Sequence, residues 1–137
     1  MAVVLDTSIV VAYLRRRDAE HERVRAWVDM LDDELVTSPL AVAEMEYFAQ
    51  RLGREFSDAL WGDLESGAYL VRWWADALSE TLSIARGHPE IGLTDASLVA
   101  LAGRLRTNRI ATLDHRHFRA LIVPDGQPFT VLPADAP

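Results

Sequence analysis

Short apolar runs alternate along the chain with stretches in which apolar residues recur at spacings of three and four. The runs read as buried strands, the spaced stretches as amphipathic helices. Val3-Val4-Leu5 opens the series and stops at Asp6-Thr7-Ser8. Ser8 to Arg17 predicts a short helix with Ile9, Ala12, Tyr13 and Arg16 on one face and Ser8 as its N-cap. Asp18 to Leu31 predicts a second helix, striped by Val24, Trp27, Val28 and Leu31. Leu35-Val36-Thr37 is a strand. Ser38-Pro39 then starts a third helix, serine at the cap and proline at the first position. On that helix Leu40, Glu44, Tyr47, Phe48 and Arg51 share a face, so Glu44 is expected inside an apolar stripe. A carboxylate there needs a cation such as Arg51, or a shifted pKa.

Gly53 ends the third helix, and Arg54 to Ser66 predicts a fourth, closed by Gly67. Tyr69 to Trp73 reads as a strand and Ala75 to Gly87 as a fifth helix. Thr94 is expected to cap a sixth, from Asp95 to Arg106, that buries Leu98, Leu101, Ala102 and Leu105. Ile110 to Leu113 is a strand that ends, like the first, in an acid, Asp114. A short helix from His115 to Leu121 and a strand from Phe129 to Leu132 follow. This alternation predicts an α/β fold: a mainly parallel central sheet with helices on both faces. We expect one domain over residues 1–132, with residues 133–137 as a short tail that frays.

Composition narrows the chemistry. A length of 137 residues suits one core, and half of the residues are hydrophobic. Without cysteine there is neither a disulfide nor a thiolate metal site. The first residues lack a signal peptide's basic region and long apolar run, and no stretch approaches the roughly 18 apolar residues needed to span a bilayer. A cytoplasmic protein without membrane contact is expected. The net charge of −7 argues against a protein that coats phosphates with basic residues. It does not argue against an enzyme that reaches phosphate through divalent cations. All 14 basic residues are arginine, which suits phosphate recognition and equally reflects a GC-rich coding sequence. Arg15-Arg16-Arg17 reads as a solvated helix end or as an RNA contact.

Four acids stand out together. Asp6 and Asp114 end predicted strands, Asp95 opens a helix, and Glu44 lies about one turn into another. In a parallel sheet the strand carboxyl ends and the starts of the following helices share one edge. Carboxylates gathered there repel one another and need a cation or a proton. Hard oxygen ligands without histidine or cysteine favour Mg²⁺ or Mn²⁺. Such an ion lowers the pKa of a bound water and stabilises charge on a phosphodiester.

The chain resembles the PIN-domain ribonucleases, and more closely the VapC-type toxins of bacterial toxin–antitoxin pairs. The resemblance rests on Val3 to Ser8, Ser38 to Glu44, Leu93 to Ala96 and Ala111 to Phe118, in that order and at fitting intervals. It implies a PIN-like three-layer sandwich and a Mg²⁺-dependent endoribonuclease, with Mn²⁺ as a substitute ion. It also implies Asp6, Glu44, Asp95 and Asp114 as catalytic metal ligands, with Thr7, Ser8 and Thr112 in support. Arg116 is expected near the site, against phosphate. Some members carry a further acid just after the position of Asp114, where this chain has His115 and His117. The implied partners are the RNA substrate, a VapB-like antitoxin and a second copy of the chain. Trp27, Phe48 and Trp61 serve such contacts or the core.

Three other readings compete. A phosphorylated signalling domain wants a lysine that this chain lacks. A catalytically silent PIN-like binding module would not need all four acids. A housekeeping RNA-processing nuclease would share the site without the antitoxin.

Overall fold

The computed structural model describes residues 1–137. Five strands, β1 (Ala2–Leu5), β2 (Glu34–Thr37), β3 (Leu70–Val71), β4 (Arg109–Ala111) and β5 (Thr130–Leu132), form one sheet in the order β3-β2-β1-β4-β5. Every pairing is parallel, so the expected mainly parallel sheet is wholly parallel. Parallel neighbours require crossover connections, and seven helices supply them. They are α1 (Thr7–Leu14), α2 (His21–Asp29), α3 (Pro39–Leu52), α4 (Arg54–Ser66), α5 (Ala77–Gly87), α6 (Leu93–Leu105) and α7 (His115–Arg119). The result is the expected three-layer α/β architecture.

The strand order sets the position of the site. From β1 the chain builds outward through β2 to β3, then crosses back to place β4 and β5 on the other side. The order therefore reverses between β1 and β4. At such a switch point the connections leave in opposite directions and open a crevice beyond the strand carboxyl ends. Asp6 follows β1 directly, and Thr112 to Asp114 follow β4.

The core is one cluster of 27 buried side chains, including Val3, Val4 and Leu5 of β1. Helix α6 packs against α5, α3 and β1, so Ala96 to Ala102 are buried on every side rather than along the expected stripe. Gly103 belongs to this packing: a Cβ there would lie 2.7 Å from Cγ of Pro124. Only glycine lets the loop after α7 rest on α6 so closely.

The structure corrects several expected details. Asp6, not Ser8, occupies the N-cap of α1, which ends at Leu14 before the arginine cluster. Gly92, not Thr94, precedes α6, so Asp95 is its third residue. Strand β3 stops at Val71 because β2, its one partner, ends at Thr37. Trp74 lies beyond it, against the Arg104 guanidinium and the Glu80 carboxylate.

Helix α3 buries Ala41, Met45 and Ala49. It approaches α1, α4 and α6 on that side, where two alanines allow close packing. The Leu40–Glu44–Phe48 face is thereby turned outward, with Tyr47 and Phe48 exposed. Arg51 bonds the Tyr47 hydroxyl at 3.1 Å and lies over its ring instead of pairing with Glu44.

Asp135 ties the tail to the domain. Asp135 takes two hydrogen bonds from Arg119, at 2.6 and 3.1 Å, and one from the Val131 N–H at 2.8 Å. These bonds hold its carboxyl below the usual carboxylate range, the arginine pair contributing most. No helix is long and apolar enough to cross a membrane.

Candidate active site

The site begins with the β1–β4 pairing. The Asp6 N–H donates to the Ala111 carbonyl at 3.0 Å, which extends the ladder one residue beyond β1. Asp6 then turns its side chain inward with only 5% of the residue exposed. Oδ2 of Asp6 accepts from the Ser8 hydroxyl at 2.7 Å and from the Thr112 hydroxyl at 2.8 Å. Both hydroxyls accept in turn: Ser8 from the Leu113 N–H and Thr112 from the Asp114 N–H, each at 2.9 Å. Strand β1, the start of α1 and the turn after β4 are thus tied through one carboxylate. Thr7 is buried and donates to the Ala41 carbonyl at 3.4 Å, linking α1 to α3.

Glu44 and Asp95 are placed by a second joint. The Ser38 hydroxyl accepts from the Ala41 N–H at 3.1 Å as the N-cap of α3, and shares a hydrogen with Ser97 of α6 at 2.7 Å. The beginnings of α3 and α6 are therefore held side by side. Asp95 stands in the first turn of α6, where the helix dipole favours a negative charge. Burial and the neighbouring Asp6 charge nonetheless raise its pKa, with a smaller push from Asp114, and His117 acts against them.

Asp114 precedes α7, and its carboxylate is 44% exposed. His117 lies one turn further along α7. Its Nδ1 is 3.0 Å from Oδ2 of Asp95 and 3.0 Å from Oδ2 of Asp114. One donor atom from each of these three residues fits within 4.8 Å.

A groove of about 450 Å³ collects these groups. Asp6, Glu44, Asp95 and Asp114 all line it, as do Thr7 and Ser8. Asp18 and His117 line it too, although sequence reasoning assigned neither of them to the site. The place of His117 in the first turn of the helix that follows Asp114 was the available signal for the second. Asp18 carried none, since it sits in the loop before α2 with Oδ1 accepting the Glu20 N–H. Arg116 is exposed on α7 and does not line the groove; His117 takes the inward position. No arginine lines the groove at all.

The donor chemistry suits a hard divalent cation: several carboxylate oxygens converge with no basic side chain to neutralise them except an imidazole. A phosphate entering the groove would meet negative charge unless a cation intervened.

The family model described as a PIN domain matches residues 3–122. The chain belongs to the PIN-domain family. It is of the VapC type, being 38% identical over 135 residues to Ribonuclease VapC26 of Mycobacterium tuberculosis, a match covering 96% of this chain and 100% of that one. Ribonuclease VapC29 of the same organism is 30% identical over 121 residues, covering 83% and 86%. Among solved structures, VapC20 of Mycobacterium tuberculosis, described as a sarcin–ricin-loop-cleaving toxin, superposes with a TM-score of 0.72 at 20% identity. That match covers 79% of this chain and 86% of that one, and it speaks for the fold. FitAcB from Neisseria gonorrhoeae superposes with a TM-score of 0.60 at 28% identity, covering 95% and 97%. In this PIN domain the acidic groove lies at the switch point of the sheet, and all of its acids fall within the matched residues.

Proposed function

We propose that this PIN domain is a Mg²⁺-dependent endoribonuclease and the toxin of a type II toxin–antitoxin pair, with Mn²⁺ able to substitute. The observation that carries the reading is the groove itself: Asp6, Glu44, Asp95 and Asp114, from four separate segments, line it together with a fifth acid, Asp18, and no arginine is among its lining residues. Asp6, Glu44, Asp95 and Asp114 would hold the cation. When bound, it supplies a Lewis acid that activates water and stabilises charge on the phosphodiester.

The chain's own residues divide the remaining work. The Ser8 and Thr112 hydroxyls fix the Asp6 carboxylate in one orientation, and Thr7 keeps α1 against α3. Glu44 has no ion-pair partner within the protein, so its carboxylate remains available to the groove. Arg15, Arg16, Arg17 and Arg25 line a second groove of about 670 Å³. Arg17 lines that groove and its chain neighbour Asp18 lines the acidic one, so RNA phosphates flanking the cut would meet these arginines. Residues 1–132 form the catalytic domain, with residues 133–137 as its docked tail.

The toxin role draws on the VapC relatives and on the neighbour solved as FitAcB. A VapB-like antitoxin, a homodimer and a cytoplasmic location accompany that role. The test is pulsed expression in a bacterial host followed by sequencing of RNA 5′ ends. New discrete ends are expected with the wild-type chain and not with Asp114→Asn. Identical ends from both chains would refute catalysis by this groove.

A further inference from the structure

We propose that His117 is itself a metal ligand, its Nδ1 completing the site with Asp95 and Asp114 and turning its selectivity from Mg²⁺ toward Mn²⁺. This rests on reading the groove as a cation site, and it goes further by assigning a nitrogen donor where an all-oxygen set was expected.

The geometry is the first support. Nδ1 of His117 lies 3.0 Å from one carboxylate oxygen of Asp95 and 3.0 Å from one of Asp114. Adjacent ligands of an octahedral ion with bonds of about 2.1 Å are separated by roughly 3.0 Å. Two of the three donor pairs therefore stand at the spacing of ligands to a common ion, and all three donor atoms lie within 4.8 Å of one another.

The bonding of the other acids is the second support. Oδ2 of Asp6 is engaged by the Ser8 and Thr112 hydroxyls. Glu44 is not part of the close-set group. The tightest cluster in the groove is therefore two carboxylates and an imidazole, not four carboxylates.

Placement is the third. Asp114 immediately precedes α7 and His117 is the third residue of that helix, so the start of α7 brings the two donors to 3.0 Å. Phe118, the next residue, is fully buried and packs edge-to-face on Phe129 with ring centroids 5.8 Å apart. This anchor sets the rotation of α7 and with it the inward position of His117.

An imidazole changes which ion the site prefers. Mg²⁺ takes oxygen ligands almost exclusively, whereas transition ions accept imidazole nitrogen readily. Of the two ions suited to carboxylate oxygen here, Mn²⁺ is the transition ion, and it accepts an added imidazole nitrogen more readily than Mg²⁺ does.

The experiment uses Mn²⁺ alone as the probe, with no RNA present. Electron spin-echo spectroscopy of the Mn²⁺-loaded protein should show coupling to a directly bound nitrogen. Selective ¹⁵N labelling of histidine should change that coupling, and His117→Asp should abolish it while Mn²⁺ still binds. Calorimetry should show the ratio of Mn²⁺ to Mg²⁺ affinity falling roughly tenfold in His117→Asp, the size of effect that single groups around a metal site produce. Mn²⁺ bound to the wild-type protein without nitrogen coupling would overturn the assignment of His117 and leave the acidic site standing. Failure of the wild-type protein to bind Mn²⁺ at all would overturn the cation reading, and this proposal with it.

Discussion

Thr112 donates its hydroxyl hydrogen to Oδ2 of Asp6 across 2.8 Å, from the turn after one central strand to the acid that ends its neighbour. The same threonine oxygen accepts the Asp114 N–H at 2.9 Å. One side chain therefore fixes the orientation of one acid and the backbone of another. Thr112→Val keeps the shape and removes both bonds. Loss of a donor to a buried carboxylate costs about 1–3 kcal/mol, and misorienting a metal-site group costs about 10–100-fold in affinity or activity. We expect both effects, read from a urea titration and from single-turnover RNA cleavage. Unchanged cleavage would mean that Asp6 does not need this support.

Asp95 carries a cost that metal-free protein should reveal. Burial and the Asp6 charge raise its pKa above the unfolded value of about 3.9. Between those two values the folded state binds more protons than the unfolded state. Stability therefore falls as pH rises through that window, and the loss is complete above the raised pKa. Asp95→Asn removes the penalty. In EDTA at neutral pH its melting temperature should rise by a few degrees, and the decline of wild-type stability above pH 4 should become shallower. A lower melting temperature would show that the pairing of Asp95 with His117 outweighs its desolvation.

Divalent ions should reverse that penalty. An ion that binds only the folded chain stabilises it by about 2.7 kcal/mol at a hundredfold excess over Kd. We expect Mn²⁺ to raise the wild-type melting temperature, and not that of Asp114→Asn. Because protons compete for Asp95, the effect should weaken as pH falls, and it should do so at a higher pH than an ordinary carboxylate would produce. Equal shifts in both proteins would place the ion elsewhere.

Helix α7 has only five residues and cannot hold itself together. Phe118 is its anchor, fully buried against Phe129. Phe118→Ala should cost about 3–5 kcal/mol and weaken Mn²⁺ binding, because Asp114 and His117 are both positioned by α7. Phe118→Leu should recover most of the stability. A stable Phe118→Ala protein with normal metal affinity would show that the turn after β4 positions Asp114 unaided.

The site was legible wherever backbone geometry alone places an acid. Val3-Val4-Leu5-Asp6 and the strand before Asp114 announce strand-end acids in sequence, and parallel topology brings strand ends together. The fold class and nearly all the elements were legible for the same reason. What escaped depends on the direction of helix faces and on tertiary partners. The periodicity of α3 offered two faces, one rich in aromatics and one in alanine. Close packing selected Ala41, Met45 and Ala49, so Glu44 reaches the groove from an open face rather than from within an apolar stripe. His117 looked like a departure from an acidic pattern, yet on α7 it is the side chain that meets Asp95 and Asp114. Asp135 gave no local sign that Arg119 would hold the chain's end.

The most direct test of the account is cleavage of total cellular RNA by the purified chain with Mg²⁺, with Mn²⁺ and with EDTA, beside Asp6→Asn. Discrete fragments are expected with either ion, and none with EDTA or with the substituted chain. The same fragments in EDTA or from Asp6→Asn would contradict a metal-dependent reaction at this groove.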